Sequence, residues 1–232
     1  MIYITGDTHA YFDRVEEFCE IYETEKSDVL IILGDAAINY HCDDIDISTK
    51  EQLSELPITL LCIHGNHEKR PENIKTYEET YRFGGDVYWE PEYPNLLFAK
   101  DGEIYKLAGK RCIAIGGAYS VDKAVRTPGV DWWPDEQPSE EIKARVEARL
   151  EEENWNVDVV LSHTCPYKYI PKEMFLPGID SSFVDKSTEK WLDDIEDKLS
   201  YSLWYCGHFH TDKWVNNLVF LSDEILEFYE LE

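Results

Sequence analysis

Five of the seven histidines fall in four short clusters: Gly6-Asp7-Thr8-His9, Gly65-Asn66-His67-Glu68, Ser162-His163-Thr164 and Gly207-His208-Phe209-His210. Most of these clusters, and Gly34-Asp35 as well, sit directly behind a short apolar run. The runs are Ile2 to Thr5, Val29 to Leu33, Ile58 to Ile63, Cys112 to Ile115, Val157 to Leu161 and Leu203 to Cys206. Unbroken apolar stretches of this length read as strands buried on both faces. In open α/β sheets ligands gather at the carboxyl ends of strands, so a fold that suits this chain brings several motifs to one shared edge. There the carboxylate, imidazole and amide groups match the needs of two adjacent divalent metal ions.

Helical periodicity fills the intervals. Phe12, Val15, Cys19 and Tyr22 repeat at steps of three and four, as do Ile142, Val146 and Leu150 behind a cap at Ser139. Trp191, Leu192, Ile195 and Leu199 predict a third helix, with Ser187 as its cap. The stretch from Tyr119 to Pro138, with Pro, Gly and two adjacent tryptophans, reads as an irregular excursion. No repeat or low-complexity linker interrupts the pattern, and residues 1–232 are expected to form a single domain of the α/β class.

Bulk properties exclude some functions. A net charge of -26, from 48 acidic against 22 basic residues, opposes the phosphate backbone of long nucleic acids. No stretch approaches the roughly 20 apolar residues of a membrane span, and Met1 to Thr5 lacks the features of a signal peptide. The six cysteines show no C-x-x-C spacing and lie mostly in apolar runs, which predicts reduced, packed thiols. Cys165 and Cys206 each lie two residues from a clustered histidine, and burial at a strand end accounts for both. A cytoplasmic protein is the expectation.

The motifs in order, D-x-H at Asp7 and His9, G-D at Asp35, G-N-H at Asn66 and His67, a lone His163, then G-H-x-H at His208 and His210, resemble the calcineurin-like metallophosphoesterases. They span nearly the whole chain. The resemblance implies a four-layer αββα sandwich of two mixed β-sheets, and a dinuclear metal centre that hydrolyses phosphoric esters. It implies Asp7, His9 and His210 on one metal, Asn66, His163 and His208 on the other, and Asp35 as the bridge. His67 would not bind metal but would contact a phosphate oxygen or act as general acid. Two such ions acidify a water and neutralise phosphate oxygens, so that a metal-activated hydroxide attacks in line. Mn is the first expectation, with Fe, Zn, Ni, Co or Mg able to take its place. In an extended stretch residues two apart share a side, which would let His208 and His210 both face the site.

One departure bears on function. Many members read G-D-x-x-D, and the Ser/Thr protein phosphatases continue with Arg-Gly; here the run is Gly34-Asp35-Ala36-Ala37-Ile38-Asn39-Tyr40. Ile38 leaves His67 in need of another orienting group, with Asn39 and Glu68 as candidates. Arg70, Lys123 and Arg126 are candidates to hold substrate phosphate, with surface ion pairs as their ordinary alternative. Tyr40, Tyr119 and Trp132 are candidates to stack on a base. His41 and His64 are expected to be structural or to support ligands. The leading reading is a phosphodiesterase on small or nucleotide substrates. A phosphomonoesterase acting on phosphoproteins or metabolites, and a metal-binding scaffold without turnover, are the alternatives.

Overall fold

The computed structural model describes residues 1–175 and 183–229. Among these, one sheet runs in the order β13 (Ile225–Glu227), β1 (Ile2–Thr5), β2 (Val29–Ile32), β3 (Thr59–Cys62), β6 (Leu96–Ala99), β5 (Gly85–Trp89), β4 (Glu78–Arg82). The second runs β11 (Lys213–Val215), β12 (Leu218–Phe220), β10 (Leu203–Cys206), β9 (Val159–Ser162), β8 (Lys110–Ile115), β7 (Ile104–Leu107). Both are mixed. Strands β1, β2, β3 and β6 pair in parallel, as do β8, β9, β10 and β12, while antiparallel strands close the edges.

Alternation along single strands builds the layers. Val29 and Ile31 of β2 pack in the same core as Leu161 of β9 and Tyr205 of β10, so this core lies between the sheets. Leu30 and Ile32 turn the other way, to meet Val15 and Cys19 of α1 (Asp13–Tyr22) and Leu53 of α2 (Asp44–Glu55). On the far side Val160, Trp204 and Cys206 pack with Ile142 and Val146 of α3 (Glu140–Glu152) and with Trp191 and Leu192 of α4 (Ser187–Glu196). The order is helices, sheet, sheet, helices, which is the expected αββα sandwich. It explains why the central strands are largely apolar along their length: each side chain has a covering layer.

Local differences from the sequence expectations have physical causes. Ser139 caps α3 by accepting the Ile142 amide at 3.3 Å, as expected. Ser187, in contrast, is the first residue of α4, and Asp185 accepts its amide at 2.8 Å. In α1, Phe18 completes the buried stripe and Tyr22 is exposed. Helix α2 escaped the periodicity because its inward face is largely polar: Asp46 and Lys50 are buried, with Lys50 paired to Glu90 at 2.6 Å, whereas Ile45 and Ile47 are exposed.

Candidate metal centre

The loops that leave β1, β2, β3, β9 and β10 converge on one edge. The His9 amide donates to the Asp35 carbonyl at 2.8 Å, and the Gly207 amide to the His163 carbonyl at 2.9 Å, so the loops are stitched in pairs. His9, Asp35, His208 and His210 all have left-handed backbone, at φ of 46°, 47°, 67° and 48°. Such conformations are uncommon away from glycine, cost about 1–3 kcal/mol each, and persist where the surroundings over-determine them at functional sites. The last two replace the extended stretch expected for G-H-x-H. His208 and His210 reach the site because each sits in its own left-handed turn.

Close approach also needs glycine. A Cβ on Gly34, whose φ is 100°, would lie 2.1 Å from His163 Nδ1, and one on Gly65 would lie 2.0 Å from Asp35 Oδ1. The motif glycines thus give way to the side chains beside them.

The expected ligands come together. Asp7 Oδ2 lies 3.3 Å from His210 Nε2 and 3.7 Å from His9 Nε2. His163 Nε2 lies 2.9 Å from Asn66 Oδ1 and 3.6 Å from Asp35 Oδ2. The His208 ring stands edge-on to that of His163, centroids 5.0 Å apart. Asp35 Oδ2 is also 4.0 Å from His9 Nε2, so this oxygen faces both groups. Burial alone would raise the pKa of Asp7, but the His210 hydrogen bond, His163, the His208 amide and His9 outweigh it and hold the carboxyl at about 2. Burial, with His163 next in weight, pushes His208 down to about 3 and keeps it neutral.

The chemistry of these donors tests whether a cation fits. His163 Nδ1 lies 2.8 Å from the Leu33 carbonyl, an acceptor, which places the ring proton there and leaves Nε2 a bare lone pair. Asn66 Nδ2 donates to Ser120 Oγ at 3.0 Å, so its Oδ1 is an acceptor as well. Two acceptors therefore face each other at 2.9 Å. His9 Nε2 and His210 Nε2 lie 3.0 Å apart beside the Asp7 carboxylate, their donor and acceptor roles set by the tautomers. Adjacent ligands on an ion with bonds of about 2.1 Å are themselves about 3 Å apart, so a divalent cation fits both contacts.

Comparison with known proteins agrees. The family description of the calcineurin-like phosphoesterases matches residues 1–212. The chain belongs to this family. It is a metal-dependent hydrolase of phosphoric esters. No curated protein matches it. Among solved structures, TT1561 of Thermus thermophilus is similar in fold, with 12% identity, a TM-score of 0.53, and coverage of 95% of this chain and 87% of that one. A protein of unknown function from Aquifex aeolicus, AQ665, is 19% identical over 71% of this chain and 80% of its own, at a TM-score of 0.34.

In this phosphoesterase, His67 borders a cavity of about 560 Å³ that His9, His210, Tyr40, Asp122 and Arg126 also line. The backbone amide of His67 donates to Asp35 Oδ1 at 2.8 Å, and its Nε2 lies 3.9 Å from Asp35 Oδ2. Burial lowers its pKa, and the carboxylates of Asp35 and Asp122 work against that. Neither proposed orienting group reaches it. Asn39 accepts the Tyr77 hydroxyl at 3.1 Å, and Glu68 is wholly buried with Oε1 accepting the Gly65 amide. Asp122 is the carboxylate that shares the cavity wall with His67; its Oδ2 holds Arg126, and its buried Oδ1 has no protein partner.

The basic candidates divide. Arg70 is buried, ion-paired to Asp101 and donating to the Asp135 carbonyl, so its charge serves the core instead of a substrate. Lys123 lies 3.7 Å from buried Glu136 and over the Tyr119 ring. Arg126 does line the cavity, but bound to Asp122 and Tyr40. His64 is buried and held neutral by that burial and by Arg70, as expected of a structural histidine, whereas His41 borders the cavity. Cys165 and Cys206 are core residues, and burial pushes both thiols up.

Some supporting residues gave no sequence signal. Ser120 orients the Asn66 amide, and Glu136 supports it by accepting the Ser120 amide and Trp132 Nε1. Arg14 ties the Asp7 carbonyl to that of Ser222. Ser120 and Glu136 belong to a segment remote from the motif they serve, whereas Arg14 follows Asp7 by seven positions.

Proposed function

We propose that this phosphoesterase hydrolyses phosphodiesters of small or nucleotide-sized molecules with two divalent ions, and that His67 protonates the departing oxygen. The reading is carried by Asp35 Oδ2, which faces ligand atoms of both groups, 4.0 Å from His9 Nε2 and 3.6 Å from His163 Nε2. Asp7, His9 and His210 would hold one ion, Asn66, His163 and His208 the other, and Asp35 both. When bound, the ions supply Lewis acidity, which acidifies water and neutralises phosphate oxygens during displacement.

The remaining roles belong to the chain's own groups. Leu33 and Ser120 fix the His163 tautomer and the Asn66 amide, so both point lone pairs inward. Asp35 ties the His67 backbone to the same carboxylate that serves the ions. An anionic ester brings negative charge beside His67, which favours its protonated form against the burial that lowers it. His67 then gives that proton to the leaving oxygen.

Several cavities at the ligand cluster support the diester over the monoester. One reaches it at His9, His67 and His210, a second, of about 280 Å³, at His208 and His210 between Tyr119, Ile170 and Phe209, and a third, of about 500 Å³, at Asp7, His9 and His210 beside Arg14. A diester has two organic arms to house. The missing Arg-Gly after the second motif and the net charge of -26 argue against protein phosphatase and long nucleic acid readings.

The test is a paired assay of Mn-loaded protein on bis(p-nitrophenyl) phosphate and p-nitrophenyl phosphate, with metal stoichiometry measured on the same sample. Two metals per chain and preferred diester turnover are expected. Monoester preference would replace the diester reading. No turnover with Mn, Fe, Co, Ni or Zn would leave a metal-binding scaffold.

A further inference from the structure

The cavity beside His67 is built from flat and apolar surfaces in a chain whose surface is otherwise strongly acidic. Tyr11 and Ile45 are 79% and 57% exposed at its mouth, and Ala10, Ala37, Tyr40 and His41 complete that wall. Two carboxylates and one guanidinium also line it; Asp46 and Arg126 are engaged, and Asp122 holds Arg126 through Oδ2 while its Oδ1 is buried without a protein partner. Asp46 accepts the amides of His41 and Cys42 at 3.0 and 2.6 Å. Arg126 donates to Asp122 at 2.6 Å and to the Tyr40 hydroxyl at 2.5 Å. Among the described residues the cavity therefore offers no unpaired guanidinium or ammonium for a second phosphoryl group, and the unpartnered Asp122 oxygen is buried.

Tyr40 is held in place from three sides. Its hydroxyl accepts from Arg126, its carbonyl accepts Trp133 Nε1 at 3.0 Å, and its ring meets His41 edge-on with centroids 4.6 Å apart. A wall fixed in this way loses little freedom when a ligand packs on it. The volume of about 560 Å³ is in the range that encloses a drug-sized organic molecule. Planar faces stack on planar faces with a gain beyond simple burial.

We infer that this cavity seats the ester group of the substrate and selects an uncharged planar ring of nucleobase kind. Resting on the phosphoester reading above, the inference adds what is esterified: an ester held at the metal ring extends past His67 into the space between Tyr11, Tyr40 and Ile45. Compact alkyl esters leave that space empty, and a second phosphate finds Arg126, the guanidinium that lines it, already paired.

Non-hydrolysable phosphonates test this without turnover. Calorimetric titration of Mn-loaded protein with phenylphosphonate and methylphosphonate compares the same headgroup with and without a ring. Phenylphosphonate is expected to bind at least about tenfold more tightly, the scale of burying one aromatic group. A carboxylate on the ring should remove most of that advantage. Tyr40→Ala should shrink the ratio at least about fivefold and Tyr40→Phe should restore most of it. Tyr11→Ala, at an exposed position, gives the same readout if Tyr40→Ala fails to fold. Equal affinities for the two phosphonates in a protein that turns over esters would overturn the ring selection alone. Binding of neither phosphonate, together with no turnover, would overturn the phosphoester reading and this inference with it.

Discussion

Asp35 shows how much one side chain is asked to do. Its carboxylate is buried, accepts the His67 amide through Oδ1, and turns Oδ2 toward His9 and His163. Asp35→Asn exchanges that anionic face for a neutral one, so metal content should fall below two per chain and turnover by at least about 100-fold, as read by metal analysis and assay on one sample. Full activity of a metal-replete variant would refute the dinuclear arrangement. His67→Ala should instead keep its metals and lose turnover, more severely for esters of poor leaving groups than for p-nitrophenyl esters, since a general acid matters most where the departing oxygen is basic. Asp122→Asn should show the same leaving-group pattern at smaller amplitude if its unpartnered oxygen steadies His67. Glu68 carries a stability prediction. Burial first, then Asp35, raise its carboxyl from 4.5 to about 8, so the folded state holds a proton that the unfolded chain has lost. Its contribution is complete below about pH 4.5 and is lost as pH rises through about 8. In metal-free protein the unfolding free energy should fall between pH 5 and 8 by up to about 1 kcal/mol per pH unit more than in Glu68→Gln.

At the scale of elements, the strands β1, β2, β3, β8, β9 and β10 were legible as apolar runs, whereas β4 to β7 and β11 to β13, and the loops, were not. Strand β1 (Ile2–Thr5) and strand β10 (Leu203–Cys206) coincide with their apolar runs, because a strand covered on both faces writes its burial into every residue. Helix α2 was hidden because Asp46 and Lys50 are buried by partners distant in sequence, and a polar face with partners looks like a solvated one. The motif glycines were visible as letters, but their reason is tertiary. Gly34→Ala would force a Cβ to 2.1 Å from His163 Nδ1 at a φ of 100°. A loss of about 2–4 kcal/mol in chemical denaturation is expected, through strain and displacement of His163, together with loss of metal. Unchanged stability and metal content would mean that the loop is looser than its contacts imply.

For the whole molecule, a net charge of -26 on a buried, close-packed sandwich sets stability against self-repulsion. Raising ionic strength from about 10 mM to about 200 mM shortens the screening length from about 30 Å to below 10 Å, so the Tm of the metal-free protein should rise by several degrees. A Tm independent of salt would show that opposite charges are locally balanced. No helix among the described residues is long and apolar enough to cross a membrane. The α/β class and the candidate ligands could be read from sequence because apolar runs mark strands and motif letters sit at strand ends, whereas the αββα sandwich came from the family resemblance and not from spacing. What the sequence could not supply is which groups meet through space. His9 and His210 touch across 201 positions, and Asn66 takes its orientation from Ser120 54 positions away. Arg70, three residues from His67, is buried against Asp101, while Arg126, far along the chain, lines the cavity beside it. The sequence by itself determined the chemistry available at one edge of an α/β sandwich, and the tertiary structure alone decided which charges are paired and which side chains line the cavity beside that edge, because burial and pairing depend on neighbours that the chain order does not name.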